Sequence, residues 1–236
     1  GKVKLQNGVR QFAGFMDNDL SLFGKKFFRK NLLEGSIDFA QKTRYAYGYD
    51  TSIVGYEPEK KEIRLGYNNL GAKVSFKSLN LDSASFSYDF DLSYDFFYNA
   101  PGRYQHNPEF SGIMAKKYKD FYVGAELDFS YFGFAPEISE NPKVIASVSP
   151  FIKKTTPQWN FKAGLQILVD KFPDEPAAIH LYPDARFGFN IVPSYVSFFT
   201  SLNGNLEVND PLSIIETNPF IIRDGSLFRI PNTNNA

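Results

Sequence analysis

Along this chain apolar and polar residues alternate with a period of two rather than 3.6, the pattern of strands with two unlike faces. The clearest run covers residues 84–98: Ala84, Phe86, Tyr88, Phe90, Leu92, Tyr94, Phe96 and Tyr98 against Ser85, Ser87, Asp89, Asp91, Ser93 and Asp95. A helix would scatter these residues around its circumference. Ile37, Phe39, Thr43, Tyr45, Tyr47 and Tyr49 likewise oppose Asp38, Lys42, Arg44 and Asp50. Ile63, Leu65 and Tyr67 oppose Glu62 and Arg64, and after Asn68-Asn69 the phase flips, so that Leu70, Ala72, Val74 and Phe76 oppose Lys73, Ser75 and Lys77. The flip predicts a bulge or a tight turn. Further alternating runs cover 121–131, 158–169, 179–191 and 196–208, with a less regular strand at 144–153 interrupted by Pro150. The pattern predicts about nine or ten strands and no long helix.

Turn chemistry separates the runs, at 57–61, 80–83, 141–142, 154–157 and 173–176. One connection is longer: residues 99–119, with Pro101-Gly102, Pro108 and Gly112, are predicted as a loop joining two strands. The expected fold is all-β, a single domain over residues 1–236: an antiparallel meander forming a transmembrane-type β-barrel or part of one. Strand length favours this architecture. Soluble strands run about five or six residues, whereas the 84–98 run would extend about 45–50 Å at about 3.3 Å per residue. Tyr45, Tyr47, Tyr49, Tyr94 and Tyr98 cluster toward segment ends, where a ring that is apolar with a wet hydroxyl suits a lipid–water boundary. The competing architecture is a soluble β-sheet, secreted or periplasmic, that binds a ligand or partner through an aromatic surface.

Composition narrows the function. The chain has 26 Lys+Arg and 26 Asp+Glu, no cysteine and 17% aromatic residues. Balanced charge without a basic tract argues against a nucleic-acid partner, and the lack of cysteine excludes disulfide and thiolate chemistry. No apolar stretch is long enough for a transmembrane helix. The start at Gly1 lacks the features of a signal peptide, so the expectation is either a cytosolic protein or one whose leader has been removed, and Gly1 in place of Met favours a processed or engineered start.

The stretch Leu181-Tyr182-Pro183-Asp184-Ala185-Arg186-Phe187-Gly188-Phe189-Asn190, then residues 195–208 and Ser213-Ile214-Ile215-Glu216-Thr217-Asn218-Pro219-Phe220, resembles the barrel region of Bacteroidetes-type outer-membrane proteins grouped with TonB-dependent receptors. In that group a Tyr/Phe-Pro-x-Ala strand meets one ending Asn/Gly-Gly-x-Leu, before a Glu-Asn-Pro-Phe/Tyr loop. Here Thr217 separates Glu216 from Asn218, and Asn203-Gly204-Asn205-Leu206 replaces the double glycine. The resemblance implies a bacterial outer-membrane location and uptake or passage of a small polar solute. No plug domain or energy-coupling box is visible and residues 230–236 read as a polar loop with no terminal strand closing on an aromatic residue, so the expectation is a segment of a longer barrel or a form whose remaining strands have been cut away.

Candidate chemistry is sparse. His106 and His180 have no paired histidine at chelating spacing, and neither a phosphate loop nor a nucleophile elbow occurs. No catalytic residue, metal ligand or cofactor is implied, and an enzyme is not expected. In the barrel reading Phe86, Tyr88, Phe90, Leu92, Tyr94, Phe96 and Tyr98 face lipid, while Ser85, Ser87, Asp89, Asp91, Ser93 and Asp95, with Glu126 and Asp128 on a neighbouring strand, line a wet lumen. That stripe reads either as a solvated face or as a cation-attracting patch. Arg103, Tyr104, His106 and Phe110, in the predicted loop, are candidates for recognition. The expected partners are the lipid bilayer, a small polar solute, and a periplasmic energy-coupling protein or another copy of the chain.

Overall fold

A computed structural model describes residues 2–6, 14–45, 59, 64–79, 86–99, 103–136, 139–173, 175–192, 195–209, 214, 217 and 233–235. Eleven strands form one sheet in sequence order: β1 (Lys2–Gln6), β2 (Phe15–Phe27), β3 (Asn31–Tyr45), β4 (Arg64–Ser78), β5 (Phe86–Asn99), β6 (Arg103–Tyr118), β7 (Phe121–Phe134), β8 (Lys143–Thr155), β9 (Trp159–Lys171), β10 (Ala178–Val192) and β11 (Val196–Asn203). Each pairs antiparallel with the next, so the all-β meander expected from the alternation is the observed fold. A short separate pair, β12 (Asn205–Glu207) with β13 (Thr233–Asn235), follows, so part of the 230–236 segment expected as a loop is a strand, formed by pairing with a distant segment. The main sheet is not closed into a barrel: its order runs from β1 at one edge to β11 at the other.

Most strands are long. The 14-residue β5 extends about 44 Å at about 3.4 Å per residue. At a tilt near 45° this projects to about 31 Å, close to the thickness of a bilayer's hydrocarbon core. Connections differ between the two ends of the sheet. At one end they are residues 28–30, 79–85, 119–120, 156–158 and 193–195; at the other 7–14, 46–63, 100–102, 135–142 and 172–177. Among the described residues, the first set includes the tight turns at 28–30, 119–120 and 156–158. Lys119, at φ 55°, occupies the left-handed region in the two-residue β6–β7 hairpin, as such turns require.

Three expectations are corrected here. Residues 99–119 are not a loop: Arg103–Tyr118 is β6, paired on both sides. Pro108 and Gly112 obscured its alternation. Pairing with β7 lapses only at Asn107–Pro108, where proline has no N–H to give. Gly112 is covered by the ring of Phe90 from β5, stacked with Phe110 at a centroid separation of 6.0 Å. The phase flip at Asn68-Asn69 is neither bulge nor turn, because β4 keeps unbroken register with β3 through both residues. It marks instead a change in what each face meets. Pro150 does not break its strand: β8 continues through it, losing register only toward β9.

The register puts the residues on two faces. One, the outer face, carries Leu20, Ile37, Val74, Leu92, Phe110, Leu165, Leu181 and Phe198, among others. It is exposed: Leu22 is 63% accessible, Leu92 59% and Leu181 62%. The inner face carries the charges, yet it holds nearly all the buried side chains, including Tyr67, Phe97, Gln105, Phe132, Lys143, Leu168 and Tyr182. Curvature explains the inversion. A flat sheet would hold β5 and β10 about 24 Å apart at about 4.8 Å per strand, yet Ser87 on β5 and Arg186 on β10 line one trough on the inner face. The sheet is therefore bent toward that side.

Close packing at one glycine supports the bend. A Cβ on Gly124, on the inner face, would lie 2.3 Å from the Met114 carbonyl oxygen and 2.9 Å from the Ala115 Cβ. Gly124→Val is therefore expected to cost about 1–3 kcal/mol as β6 and β7 separate, read as a lower denaturation midpoint; an unchanged midpoint would show that the strands are not held this close.

Candidate functional site

The inner face is the candidate site, and its chemistry comes from pairing between strands. Asp89, Asp91 and Asp95 share this face, as expected, but β4 sets Lys77, Ser75 and Gly71 directly opposite them. Lys73 Nζ lies 3.0 Å from Asp91, and the Ser75 hydroxyl also donates to Asp91. Asn69 donates to Asp95 at 3.1 Å. Further along, Lys25 Nζ and Lys77 Nζ converge on Glu34 at 2.5 and 3.2 Å. The acidic stripe is thus one half of a charge ladder rather than a bare carboxylate patch. Opposite charges across strands each contribute roughly 0.2–1 kcal/mol, and exposed pairs fall at the lower end of that range.

The remaining lumen candidates lie on the same wall. Ser87 donates to the Ala115 carbonyl at 3.1 Å, and Ser93 sits between Lys73 and Glu109. Glu126 accepts from Lys162 at 2.6 Å, and Asp128 from Ser147 at 3.0 Å. Ser85 lies outside the described residues. Phe86, Tyr88, Phe90, Leu92, Tyr94, Phe96 and Tyr98 all occupy the outer face.

The four residues expected to form a recognition loop are divided by β6. Arg103 is on the inner face opposite Asn99, while Tyr104, His106 and Phe110 project outward. His106 Nδ1 lies 2.5 Å from the Tyr94 hydroxyl, and its ring is 4.9 Å from Phe96 and 5.2 Å from Tyr104. These side chains form an aromatic cluster on the outer wall instead of a loop surface. The cause is strand pairing, which alternates successive residues between faces.

At the long-connection end both faces are mixed, and the inner one holds the Arg44–Asp17 ion pair as well as buried rings. Amides line the outer side, where Asn18 donates to Gln41 at 3.0 Å and Gln41 to Asn68 at 3.2 Å. Apolar side chains line the inner side: Tyr67 against Phe97, and a cluster of Phe132, Ile145, Leu168 and Tyr182. His180 stacks on Tyr182 there. Leu206 and Val208, beyond β11, pack against the cluster, and Lys143 Nζ donates to the Asn209 carbonyl at 2.9 Å. The chain therefore folds back over the inner face at this end.

No family model, curated protein or solved structure matches the chain. The function has to be argued from the geometry. Sequence reading missed Lys73 and Lys77 as partners of the acidic stripe, and did not single out Lys153, Lys162, Asp184 and Arg186 as site residues. The first pair sat in a visible polar stripe, whereas the second group comes together only across strands.

Proposed function

We propose that this chain forms part of the wall of a bacterial outer-membrane β-barrel that takes up or passes a small polar solute. One observation carries the proposal: a single-layer sheet exposes a broad apolar band on its convex side and keeps most of its charges, largely paired, on its concave side. In water such a surface is an aggregation hazard far larger than the patches ordinary monomers expose. Against lipid it is the expected outer surface of a barrel, with the charged side facing the lumen. Outer-face amides and aromatics near the long-connection end, and Trp159, Tyr118 and Lys154 near the tight turns, suit the two interfaces. Lys154 lies 4.9 Å from the Phe121 ring and 5.5 Å from Trp159.

The outer edges of β1 and β11, unpaired in the sheet among the described residues, are covered in this reading by further strands or by another copy of the chain, since exposed edges template pairing. The resemblance of residues 181–220 adds a TonB-dependent receptor as the parent type and a periplasmic energy-coupling protein as its partner. The work of such a wall is passage or capture, not catalysis.

The test is partitioning of the full chain into lipid vesicles. Insertion that resists alkaline carbonate extraction is expected, with Trp159 fluorescence quenched by lipid-borne bromine. A chain that stays monodisperse in plain buffer, with its outer face shielded, would overturn the membrane reading and favour the soluble ligand-binding sheet.

A further inference from the structure

Three cations stand side by side on the inner face. Register places Lys153 of β8 opposite Lys162 of β9, and Lys162 opposite Arg186 of β10. The three span about 10 Å at about 4.8 Å per strand. Like charges directly opposite each other destabilise a sheet, so such a row calls for anions. The protein supplies two. Lys162 Nζ lies 2.6 Å from both Glu126 and Asp184, and Arg186 Nε lies 3.5 Å from Asp184. Lys153 has no carboxylate within ion-pairing distance among the described residues. The row keeps a formal surplus of one positive charge, and the Arg186 side chain is 64% accessible.

All three cations line one trough of about 580 Å³, at the tight-turn half of the inner face. Its other walls are of two kinds. Ser87, Tyr122 and Thr155 offer hydroxyls, with the Glu126 carboxylate among them held by Lys162, while Ile113, Ala115 and Phe151 form an apolar floor. Cations and hydroxyls along one side of an apolar cleft are the complement of a small organic anion, with a carboxylate toward Lys153 and Arg186 and its carbon body on the floor. The acidic stripe of β5 is a poorer site, because β4 lysines already face it.

We propose that this trough is a binding site for small organic anions, with Arg186 and Lys153 as the ligand-facing cations and Lys162 as the internally paired residue that holds the row together. The inference deepens the transport reading by naming a solute class, and rests on it only for biological purpose. The geometry of the trough does not depend on a membrane.

The probe is benzoate, with benzamide as its uncharged counterpart, titrated by calorimetry and by NMR against the full chain in detergent micelles, or in plain buffer should the chain prove soluble there. Benzoate is expected to bind at least tenfold more tightly than benzamide. The double variant Lys153→Gln/Arg186→Gln is expected to lose that preference while keeping the wild-type melting temperature, since both side chains are exposed. Equal affinity for the two probes, no binding of benzoate, or an unchanged preference in the double variant would each overturn the proposal. The comparison of probes on the unmodified chain stands even if the variant does not fold. Benzoate binding by a chain that fails to enter vesicles would leave the trough and remove the membrane reading. Vesicle insertion without benzoate binding would do the reverse.

Discussion

Arginine in place of Leu92 is expected to block stable insertion into a bilayer. Leu92 is the midpoint of the outer face of β5 and is 59% accessible, opposite Val74 on one side and Phe110 on the other. An arginine at the midplane of a barrel's lipid face costs about 2–4 kcal/mol, and near an interface about 0–1 kcal/mol. The same substitution at Phe86, close to the tight turns, should therefore be much milder. Ser111→Arg supplies the opposite control: Ser111 is on the inner face between Asp91 and Asp128, where a cation gains two carboxylate neighbours. The measurement is the folded fraction in lipid vesicles over a denaturant series. A loss ordered Leu92→Arg, then Phe86→Arg, then Ser111→Arg is expected. If Leu92→Arg instead improves solubility without loss of stability, that face meets water, and the lipid assignment fails.

The second large effect is expected at Phe132. Its ring is 2% exposed, at the centre of the inner cluster with Ile145, Leu168 and Tyr182, and Lys143 Nζ sits 5.5 Å from its centroid. Truncation to alanine removes the surface on which this end of the inner face is packed, at a cost of about 3–5 kcal/mol. Leu206 and Val208 pack against the same cluster, so the variant should also release residues 205–209, seen as faster hydrogen exchange or new proteolytic cleavage there. Loss of stability without such release would mean that the segment is held by the Lys143 contact to Asn209 instead. An unchanged stability would remove the inner cluster as a structural element.

These two substitutions probe opposite sides of one sheet, and they differ in how far the sequence foretold them. Leu92 belongs to a run whose alternation is unmistakable, so its face could be read directly. Phe132 could not be read so. The parity of β7 puts it on the face of Glu126 and Asp128, and the 121–131 pattern gives no sign that this face turns from wet to apolar one residue later. Tyr67 poses the same difficulty: its phase follows Leu65, before the flip, and the inner rings it joins come from other strands. The 99–119 segment was misread for a different reason. Pro108 and Gly112 signal a loop locally, yet a proline costs only the pairing on one side and an aromatic neighbour can cover the glycine.

What the sequence by itself determined is the period of two, and with it the strands from β3 to β5 and from β7 to β11, the meander and the division of β5 into an aromatic and an acidic side. Those properties are local, since each depends on residues one and two positions apart along one strand. Tertiary structure alone decided which side is concave, that Lys73 and Lys77 answer the acidic stripe, that β6 carries His106 outward to Tyr94, and that Lys153, Lys162 and Arg186 form a row. Each of these depends on register between strands and on the bend of the sheet, which hydrogen bonding and packing between distant segments fix and which no pattern within a single strand encodes.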